Sequence, residues 1–466
     1  MKSLRTALLA LCSAGLPLAA WAQAPAPSTF AVGTSTVTAS VLATNLDIVW
    51  ELAWGPDNFL WMTERSGRIS RVNPTTGQIL PLLTLPDVTP TGESGLLGMV
   101  LHPQFATSPY VYVVYNYTEA GALKEKLVRY TYSAAAGTLS APLVLLGGIE
   151  ATTTHSGSRL LILADGTLLM STGDAQQRPQ AQNQASLNGK ILRLNLDGTI
   201  PADNPVAGSR VYTSGHRNPQ GLVQLPNGRV YSSEHGPDND DEINKIEAGR
   251  NYGWPDVAGY CNLSMEASFC AANNVREPLF IWTPTIAPAG LAYYDHPAIP
   301  GWRGSLLLAA LKGSRLTQLP LDAAGLAIAT AAPTSYLTTF GRLRAICVSP
   351  QGKVYIGTSN GRGSATGDND RLIVLENLAY VPTATRAGAS AFSFDLFPNP
   401  ARREATVRFP AATSRLTVRD LLGRAVLTLR PAGPSATLDL AQLAPGSYVV
   451  EAQGPTGSAT RKLLVE

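Results

Sequence analysis

One unit recurs along most of this chain: an apolar strand, a turn carrying Gly or Asp, a second strand, then a short strand of the type R-h-x-R-h, where h is apolar. It reads LAWGPDNFLWMTERSGRISRVNP from Leu52, LGMVLHPQFATSPYVYVVYN with LVRYTY from Leu97, and RLLILADGTLLMSTGD with GKILRLNLDG from Arg159. GLVQLPNGRVYSSEHG with DEINKIEAG, then GLAYYDHPAIPGWRGSLLLAALKGSRLTQLPLD, then AICVSPQGKVYIGTSNGRG with RLIVLENL bring the copies to six. Repeats of about 40 to 50 residues holding several short strands are the mark of a β-propeller, whose blades pack around a central channel. Helical periodicity is nearly absent here. A two-sheet sandwich array is the alternative, and the turn signal inside every unit argues against it. In a propeller, loops into and out of the inner strands meet at one end of the channel. Polar residues at blade starts therefore matter more than any one compact motif.

The repeat stops near Glu376, and ENLAYVPTATRAGASAF reads as a linker. The tail runs FDLFPNPARREATVRFP, SRLTVRDLLGRAVLTL, ATLDLAQLAPGSYVVEAQ and TRKLLVE, alternating strands separated by Gly, Pro and Asn turns. That pattern fits a small antiparallel sandwich. The expected fold class is all-β, a six-bladed β-propeller followed by a small Ig-like β-sandwich domain. FPNP, the D-x-x-G-R turn and L-x-x-G-x-Y together closely resemble the C-terminal sorting domain of type IX secretion cargo. The resemblance implies the type IX secretion machinery as a partner, with the tail removed or used as a surface anchor. An ordinary carbohydrate-binding or adhesive Ig-like module is the alternative.

The first residues, MKSLRTALLALCSAGLPLAAWAQ, have a basic start, a short apolar run and small residues at Ala20 and Ala22, as an export signal does. The expected organisation is a signal peptide over 1–22, a propeller over 30–378, a linker over 379–392 and a sorting domain over 393–466. No later stretch offers some twenty consecutive apolar residues, so no membrane span is expected in the mature chain, which is secreted or held at the cell surface. Charged residues are 15% and the formal net charge is +3, which excludes the basic field that nucleic-acid binding requires. Cys261 and Cys270 are close enough in sequence to close a short disulfide loop, whereas Cys347, in LRAICVSP, reads as a buried thiol.

The richest chemistry lies between Ser214 and Tyr260. Arg217, Asn218 and Gln220 precede a run of oxygen donors, Asp238, Asn239, Asp240, Asp241 and Glu242, introduced by Gly236 and Pro237 with their free carbonyls. Calcium takes six to eight such oxygens, so the turn suits calcium better than zinc. An acidic, solvated turn is the plainer reading. A guanidinium beside a bound calcium implies an anionic ligand between them. Of the five histidines, His102 and His296 sit in turns and read as structural, His235 borders the acidic turn, and His216 buttresses Arg217. His155 lies just before an inner strand, and the hairpin returns Asp174 to the same end. A histidine so paired is a general base with its tautomer set by the carboxylate, or else a hydrogen-bonded turn histidine. Lys312, Arg342 and Arg344 add positive charge, so the ligand should be a polyanion.

HRNPQGL, GPDNDDEIN, NYGWPDVAGY, WGPDNFLWMTER and GLLGMVLHP together resemble the soluble pyrroloquinoline quinone (PQQ) dependent glucose and aldose sugar dehydrogenases, and WTPTIAPAG with ALKGSRL is more similar to the aldose branch. The resemblance spans all six repeats. It implies PQQ and calcium (Ca2+) as cofactors, an aldose as substrate, an external electron acceptor as partner, and oxidation of the anomeric carbon to a lactone. His155 would be the general base with Asp174 orienting it, and Arg217 would stabilise charge on the reduced quinone. Arg217, Asn218, Gln220, Thr285, Lys312, Arg342 and Arg344 would hold the cofactor, while Gly236 and Pro237 would give carbonyls to its calcium. A second calcium would use Asp241, Glu242, Ala258, Tyr260 and Asn262. Glu93 stands where the glucose branch has a cofactor-contacting glutamine, and an ionised carboxylate there repels the cofactor unless protonated or paired. Asn262 replaces an aspartate, Thr154 an acidic residue, and the stacking tryptophan is shifted to Trp282 with Thr283 in its place. A long insertion of the glucose branch is missing, which implies an open pocket and broad aldose specificity. The rival classes are a calcium-dependent lactonase, which needs no arginine cluster, and a non-catalytic binding propeller.

Overall fold

Antiparallel hairpins build the chain, because runs rich in Val, Ile, Leu and Tyr alternate with tight Gly and Asn turns. A computed structural model describes residues 27–361, 370–381, 394–409, 415–420, 424–454 and 457–466. The expected signal peptide and most of the expected linker lie outside the described residues. The chain divides into two compact units, Met1–Tyr380 and Val381–Glu466. Among the described residues no helix is long and apolar enough to cross a membrane.

The first unit holds five four-stranded sheets and one of five strands. Each sheet has one inner strand: Val49–Trp54, Leu96–Leu101, Gly157–Ile162, Pro219–Gln224, Pro288–Tyr294 and Leu343–Val348. Each inner strand contacts the next and the last contacts the first, so the sheets close into a propeller-like ring. Six separate apolar cores fill the gaps between neighbouring sheets. Ile69 and Leu82 of the first sheet meet Val111 and Val113 of the second, and Leu169 and Ile191 of the third meet Leu222 and Ile246 of the fourth. Leu60, Leu192 and Leu306 are wholly buried in these gaps. Each such side chain contributes about 1.5–3 kcal/mol, so the ring is held between sheets rather than at one centre.

Ring closure uses a strand that the repeat pattern does not announce. The sixth repeat supplies only Leu343–Val348, Val354–Thr358 and Asp370–Glu376, and the N-terminal strand Ser35–Leu46 completes its sheet by pairing Ser40 with Val374. Asp370 stitches the joint, its carboxylate accepting the Ile48 N–H at 3.0 Å and the Thr358 hydroxyl at 2.6 Å. The two ends of the ring therefore share one sheet.

A register irregularity recurs at the start of all six inner strands: Val49/Glu51, Leu96/Met99, Gly157/Leu160, Pro219/Gly221, Pro288/Leu291 and Leu343/Ala345. Such a bulge bends the strand and re-aims the side chains around it. Six re-aimed segments thus meet at one end of the ring.

The second unit pairs Asp395–Phe397, Glu404–Arg408 and Ser435–Asp439 in one sheet, and Ala425–Leu429, Arg415–Arg419, Gly446–Gly454 and Gly457–Val465 in another. Val407, Leu416, Leu438, Val450 and Leu463 lie in one core shared by both sheets.

Candidate active site

The residues singled out in the sequence sit at equivalent places in successive sheets. Glu93, His155, Arg217, Asn218, Thr285 and Arg342 lie just before inner strands, and Gln220 and Arg344 lie inside the bulges. Asp174, the turn from His235 to Pro237, and Lys312 follow the second strands Thr167–Thr172, Val230–Glu234 and Ser305–Ala310. An antiparallel hairpin returns the chain to its starting end, so both sets share one end of the ring.

His155 Nδ1 is 2.8 Å from Asp174 Oδ1, with the histidine 18% exposed and the aspartate fully buried. The carboxylate accepts the Nδ1 proton, which leaves Nε2 as the basic nitrogen. Asp174 Oδ2 accepts the Trp254 indole N–H at 2.8 Å, and the Gln176 N–H donates to Oδ1 at 2.8 Å. Burial pushes the Asp174 pKa up, but the bond and charge of His155, then the donors of Trp254 and Gln176, outweigh it and hold Asp174 below 3.8. Gly173 makes the pairing possible. A Cβ there would stand 1.9 Å from the His155 carbonyl oxygen.

One backbone bond ties this pair to the arginine: the Asp174 N–H donates to the Arg217 carbonyl at 2.8 Å. The guanidinium of Arg217 lies 5.4 Å from the Trp254 ring and donates to the His235 carbonyl at 3.2 Å, while its Nε is buried without a partner. Burial lowers its pKa against the pull of Asp174, Glu234 and Asp241. Glu234 fixes the backbone here by accepting the N–H groups of Arg217 and Asn218. It also holds His216 Nδ1 at 2.8 Å, and His216 stacks on Tyr252 at 4.6 Å, so His216 is a buttress.

Hydrogen bonds then run across the ring. Asn218 Oδ1 accepts from Gly157 N–H and from Gln220 Nε2, each at 3.0 Å, and Gln220 Oε1 accepts from Arg344 Nη1 at 2.9 Å. Burial brings Arg344 down to about 9, opposed by the Glu93 carboxylate and reinforced by Arg342, Arg159 and Arg65. His235 is also buried among these groups. Burial, opposed by Glu93 and reinforced by Arg344, Arg217 and His155, lowers it to about 4, and its Nε2 has no partner. Lys312 donates to Thr285 Oγ1 at 2.7 Å.

Asp241 is bound into this framework by the main chain. Its Oδ1 accepts the Gly236 N–H at 2.8 Å and its Oδ2 accepts the N–H groups of Ile286 and Ala287 at 2.5 and 2.7 Å. Three backbone donors occupy most of its lone pairs, so it braces the Gly236–Pro237 turn against the Thr285 loop. The carbonyls of Gly236 and Pro237 accept from no donor among the described residues. Glu242 stands opposite Glu234 in the strand pair, and both line a small cavity with Gly215, Tyr252 and Ala258. Burial, with the repulsion of Glu234 and Asp240, pushes Glu242 up to about 8. Tyr260 and Asn262 lie in the following loop, exposed, with the Asn262 N–H on the Tyr260 carbonyl at 2.8 Å. Among the described residues no cluster of three or more His, Cys, Asp or Glu is placed to hold a metal. Thr283 Oγ1 donates to Asp240 Oδ1 at 2.8 Å, closing the acidic turn, and Trp282 packs on Phe280 at 4.8 Å. Cys261 and Cys270 form a disulfide that ties the loop to helix Ser264–Ala272, in which Cys270 lies, and Cys347 is a buried thiol.

Sequence reading missed Trp254 and Glu234, which hold Asp174 and Arg217 in place. Trp254 reaches Asp174 across 80 residues of chain, and the signal available was only that both Trp254 and Glu234 lie within the densest motif. Arg159 was also missed: bound to Glu51, it has its guanidinium 4.2 Å from the buried Trp50 ring, on which the expected Arg344 also sits at 5.7 Å.

The profile of the Glucose / Sorbosone dehydrogenase family matches residues 46–371, and that of the Secretion system C-terminal sorting domain matches residues 395–466. Quinoprotein glucose dehydrogenase B of Acinetobacter calcoaceticus is 33% identical over 458 residues, covering 77% of this chain and 94% of the relative. Aldose sugar dehydrogenase YliI of Escherichia coli is 32% identical over 350 residues, covering 71% and 92%. The PQQ-bound aldose sugar dehydrogenase of Streptomyces coelicolor superposes with a TM-score of 0.64 at 35% identity, covering 75% of this chain and 99% of that one. On the match over 46–371 and the identity to these relatives, the chain belongs to the glucose/sorbosone dehydrogenase family and carries a C-terminal sorting domain.

Proposed function

We propose that this protein is an exported oxidoreductase that oxidises the anomeric carbon of aldoses to lactones, using PQQ and calcium on a six-bladed propeller. The sorting domain, read as an Ig-like sandwich, directs it through type IX secretion to the cell surface or beyond. The observation that carries the reading is the backbone bond from Asp174 to Arg217, which ties the residue that holds the proton-accepting imidazole to the loop that carries the guanidinium.

The residues fit a flat polyanion. Arg217, Arg344 and Arg342 with Lys312 outnumber the nearby Glu93, and buried donors at Arg217 Nε and His235 Nε2 want acceptors. Asn218, Gln220 and Thr285 add neutral donors on the same framework. The Gly236 and Pro237 carbonyls suit a hard cation. A second calcium fits the cavity of Glu234, Glu242 and Ala258, with Asp241 outside its ligand set and Tyr260 and Asn262 on the adjoining loop. When bound, PQQ would supply a two-electron hydride acceptor and calcium a Lewis acid beside it.

The chain's own residues do the rest. His155 Nε2 takes the proton of the anomeric hydroxyl, and Asp174 stabilises the imidazolium through Nδ1–H. Arg217, partly desolvated, faces negative charge as it develops, a contribution of about 2.7–4 kcal/mol for one such donor. A lactonase has no use for the cluster around Arg344. The test adds PQQ and calcium to purified protein and follows reduction of an artificial acceptor by an external series of aldoses. His155→Ala should abolish turnover and leave cofactor binding nearly intact. Lactone hydrolysis with no sugar oxidation would overturn the assignment.

A further inference from the structure

His155 stands in a turn that its sequence alone would not hold. Its φ is +58° and that of Ser158 is +66°, two left-handed non-glycine residues within four positions. Such backbone persists only where the surroundings over-determine it. Asp174 grips the ring, and Asn218 Oδ1 takes the Gly157 N–H. The Ala175 N–H adds a bond to the His155 carbonyl at 3.3 Å, and a further hold comes from a buried group on the second sheet.

That group centres on Glu125, in the strand Ala122–Ser133, opposite Asn116 on one flank and Ile149 on the other. Asn116 Nδ2 donates to Glu125 Oε2 at 3.4 Å, and Asn116 Oδ1 accepts from Gly95 N–H at 3.2 Å and from Ser156 Oγ at 3.4 Å. Ser158 Oγ lies 2.6 Å from Glu125 Oε2 and 3.1 Å from the Ser156 carbonyl. The neighbouring cations pair elsewhere, Lys124 with Glu150, Lys126 with Asp87 and Arg159 with Glu51. Glu125 is 2% exposed, its Oε1 has no partner, and among the described residues no counter-ion faces it. Burial pushes it up to about 8 against the pull of Ser158 and Asn116.

A serine hydroxyl has one proton and a carbonyl can only accept. With Glu125 protonated both contacts are met: Glu125 donates to Ser158 Oγ, and Ser158 donates to the Ser156 carbonyl. With Glu125 ionised, Ser158 turns its proton to the carboxylate and the Ser156 carbonyl loses its donor. We propose that Glu125, as a neutral acid, is a positioning residue for His155, locking through Ser158 and Ser156 the left-handed turn that aims the imidazole. The kinetic half of this inference rests on the proposed sugar oxidation; the structural half does not.

The test uses full-length wild type, Glu125→Gln and Glu125→Ala. It follows kcat of the protein loaded with PQQ and calcium, and Tm of the PQQ-free protein, from pH 4 to 10. One unit above a pKa about a tenth of the acid stays protonated, so the contribution of Glu125 to kcat falls up to about tenfold between pH 7 and 9. Glutamine cannot ionise and keeps a donor for Ser158, giving up only the long 3.4 Å bond from Asn116 Nδ2. Glu125→Gln therefore holds kcat within about twofold of wild type at pH 7 and lacks that alkaline decline, whereas Glu125→Ala loses kcat at pH 7 with little change in KM. For stability, the folded pKa is raised from 4.5 to about 8. The contribution of Glu125 is full below pH 4.5 and is lost as pH rises through about 8, so wild-type Tm falls across that window relative to Glu125→Gln. Glu242 and Arg344 are present in both proteins, and the difference isolates Glu125. Parallel kcat and Tm profiles for wild type and Glu125→Gln would overturn the inference. A protein that oxidises no aldose would overturn the proposed function instead, and the Tm comparison would still decide about Glu125.

Discussion

Trp254 donates its indole N–H to Asp174 Oδ2 at 2.8 Å across 80 residues of chain, while Oδ1 of the same carboxylate holds His155 Nδ1 at 2.8 Å. The indole therefore decides which way the carboxylate faces, and the carboxylate decides which nitrogen of His155 is basic. The same ring lies 5.4 Å from the Arg217 guanidinium, so one side chain touches both halves of the site.

Trp254→Phe keeps the ring and removes the donor. A hydrogen bond to a charged group is worth about 1.5–3 kcal/mol, so kcat should fall by at least about tenfold with a smaller change in KM. Asp174 is held below its ordinary value of 3.8, and losing a donor raises it. Its stabilising contribution is present above pH 3.8 and lost as pH falls through the folded value, so on acidification the variant, with the smaller gap between folded and unfolded values, should lose less Tm than wild type and finish losing it at a higher pH. Steady-state kinetics and acid thermal scans check both, and an unaltered kcat would sink the role given to the indole.

Gly173→Ala would place a Cβ 1.9 Å from the His155 carbonyl oxygen and 3.2 Å from that of Arg217. Backbone on both sides must shift, at a cost of about 1–3 kcal/mol in stability. A displacement near 1 Å at a catalytic group costs about 100-fold in rate. The expected result is a folded protein of lower Tm with kcat down by about that factor. Full activity would mean that His155 and Arg217 need not be so closely placed.

Glu93 is the one carboxylate that opposes the lowering of both Arg344 and His235. It offsets the positive charge that the polyanionic cofactor would meet. Glu93→Gln should therefore bind PQQ more tightly, by about fivefold, as for a partly solvated charge worth about 1 kcal/mol. A fluorescence titration of the metal-loaded protein reads this directly. Weaker binding would show that Glu93 orders Arg344 rather than repelling the ligand.

The repeat made the ring legible, because six apolar cores between sheets demand six copies of the same strand pattern. The meeting of His155 with Asp174 was legible because a hairpin returns the chain to its starting end, whereas Arg217 stood out through the polar residues around it in the sequence. What the pattern does not carry is contact between distant positions. Ser35–Leu46 closes the sixth sheet although it lies outside the repeat as read from Leu52. Trp254 and Glu125 act on the His155 loop from other sheets. Asp241 reads as a metal ligand because carboxylates cluster there, and the three backbone N–H groups that its oxygens accept are contacts the sequence does not carry. An acidic turn in a sequence cannot distinguish a carboxylate that binds a cation from one that binds the main chain.

Glu234 and Glu242 face each other across adjacent strands beside a cavity that also meets Ala258 and Gly215. Glu242 already accepts the Gly259 N–H and Asn244 Nδ2, each at 2.8 Å, and Glu234 accepts from Arg217, Asn218 and His216. Two buried carboxylates so close repel one another unless a cation or a proton intervenes. Calcium should therefore raise the Tm of the PQQ-free protein, and at a concentration about 100 times Kd the gain is about 2.7 kcal/mol. Glu242→Gln removes one of the two charges and the repulsion with it. Its Tm without calcium should match or exceed that of wild type, while its response to calcium is largely lost. A wild-type Tm that ignores calcium and chelator alike would remove the metal from this cavity and leave a shared proton to separate the pair.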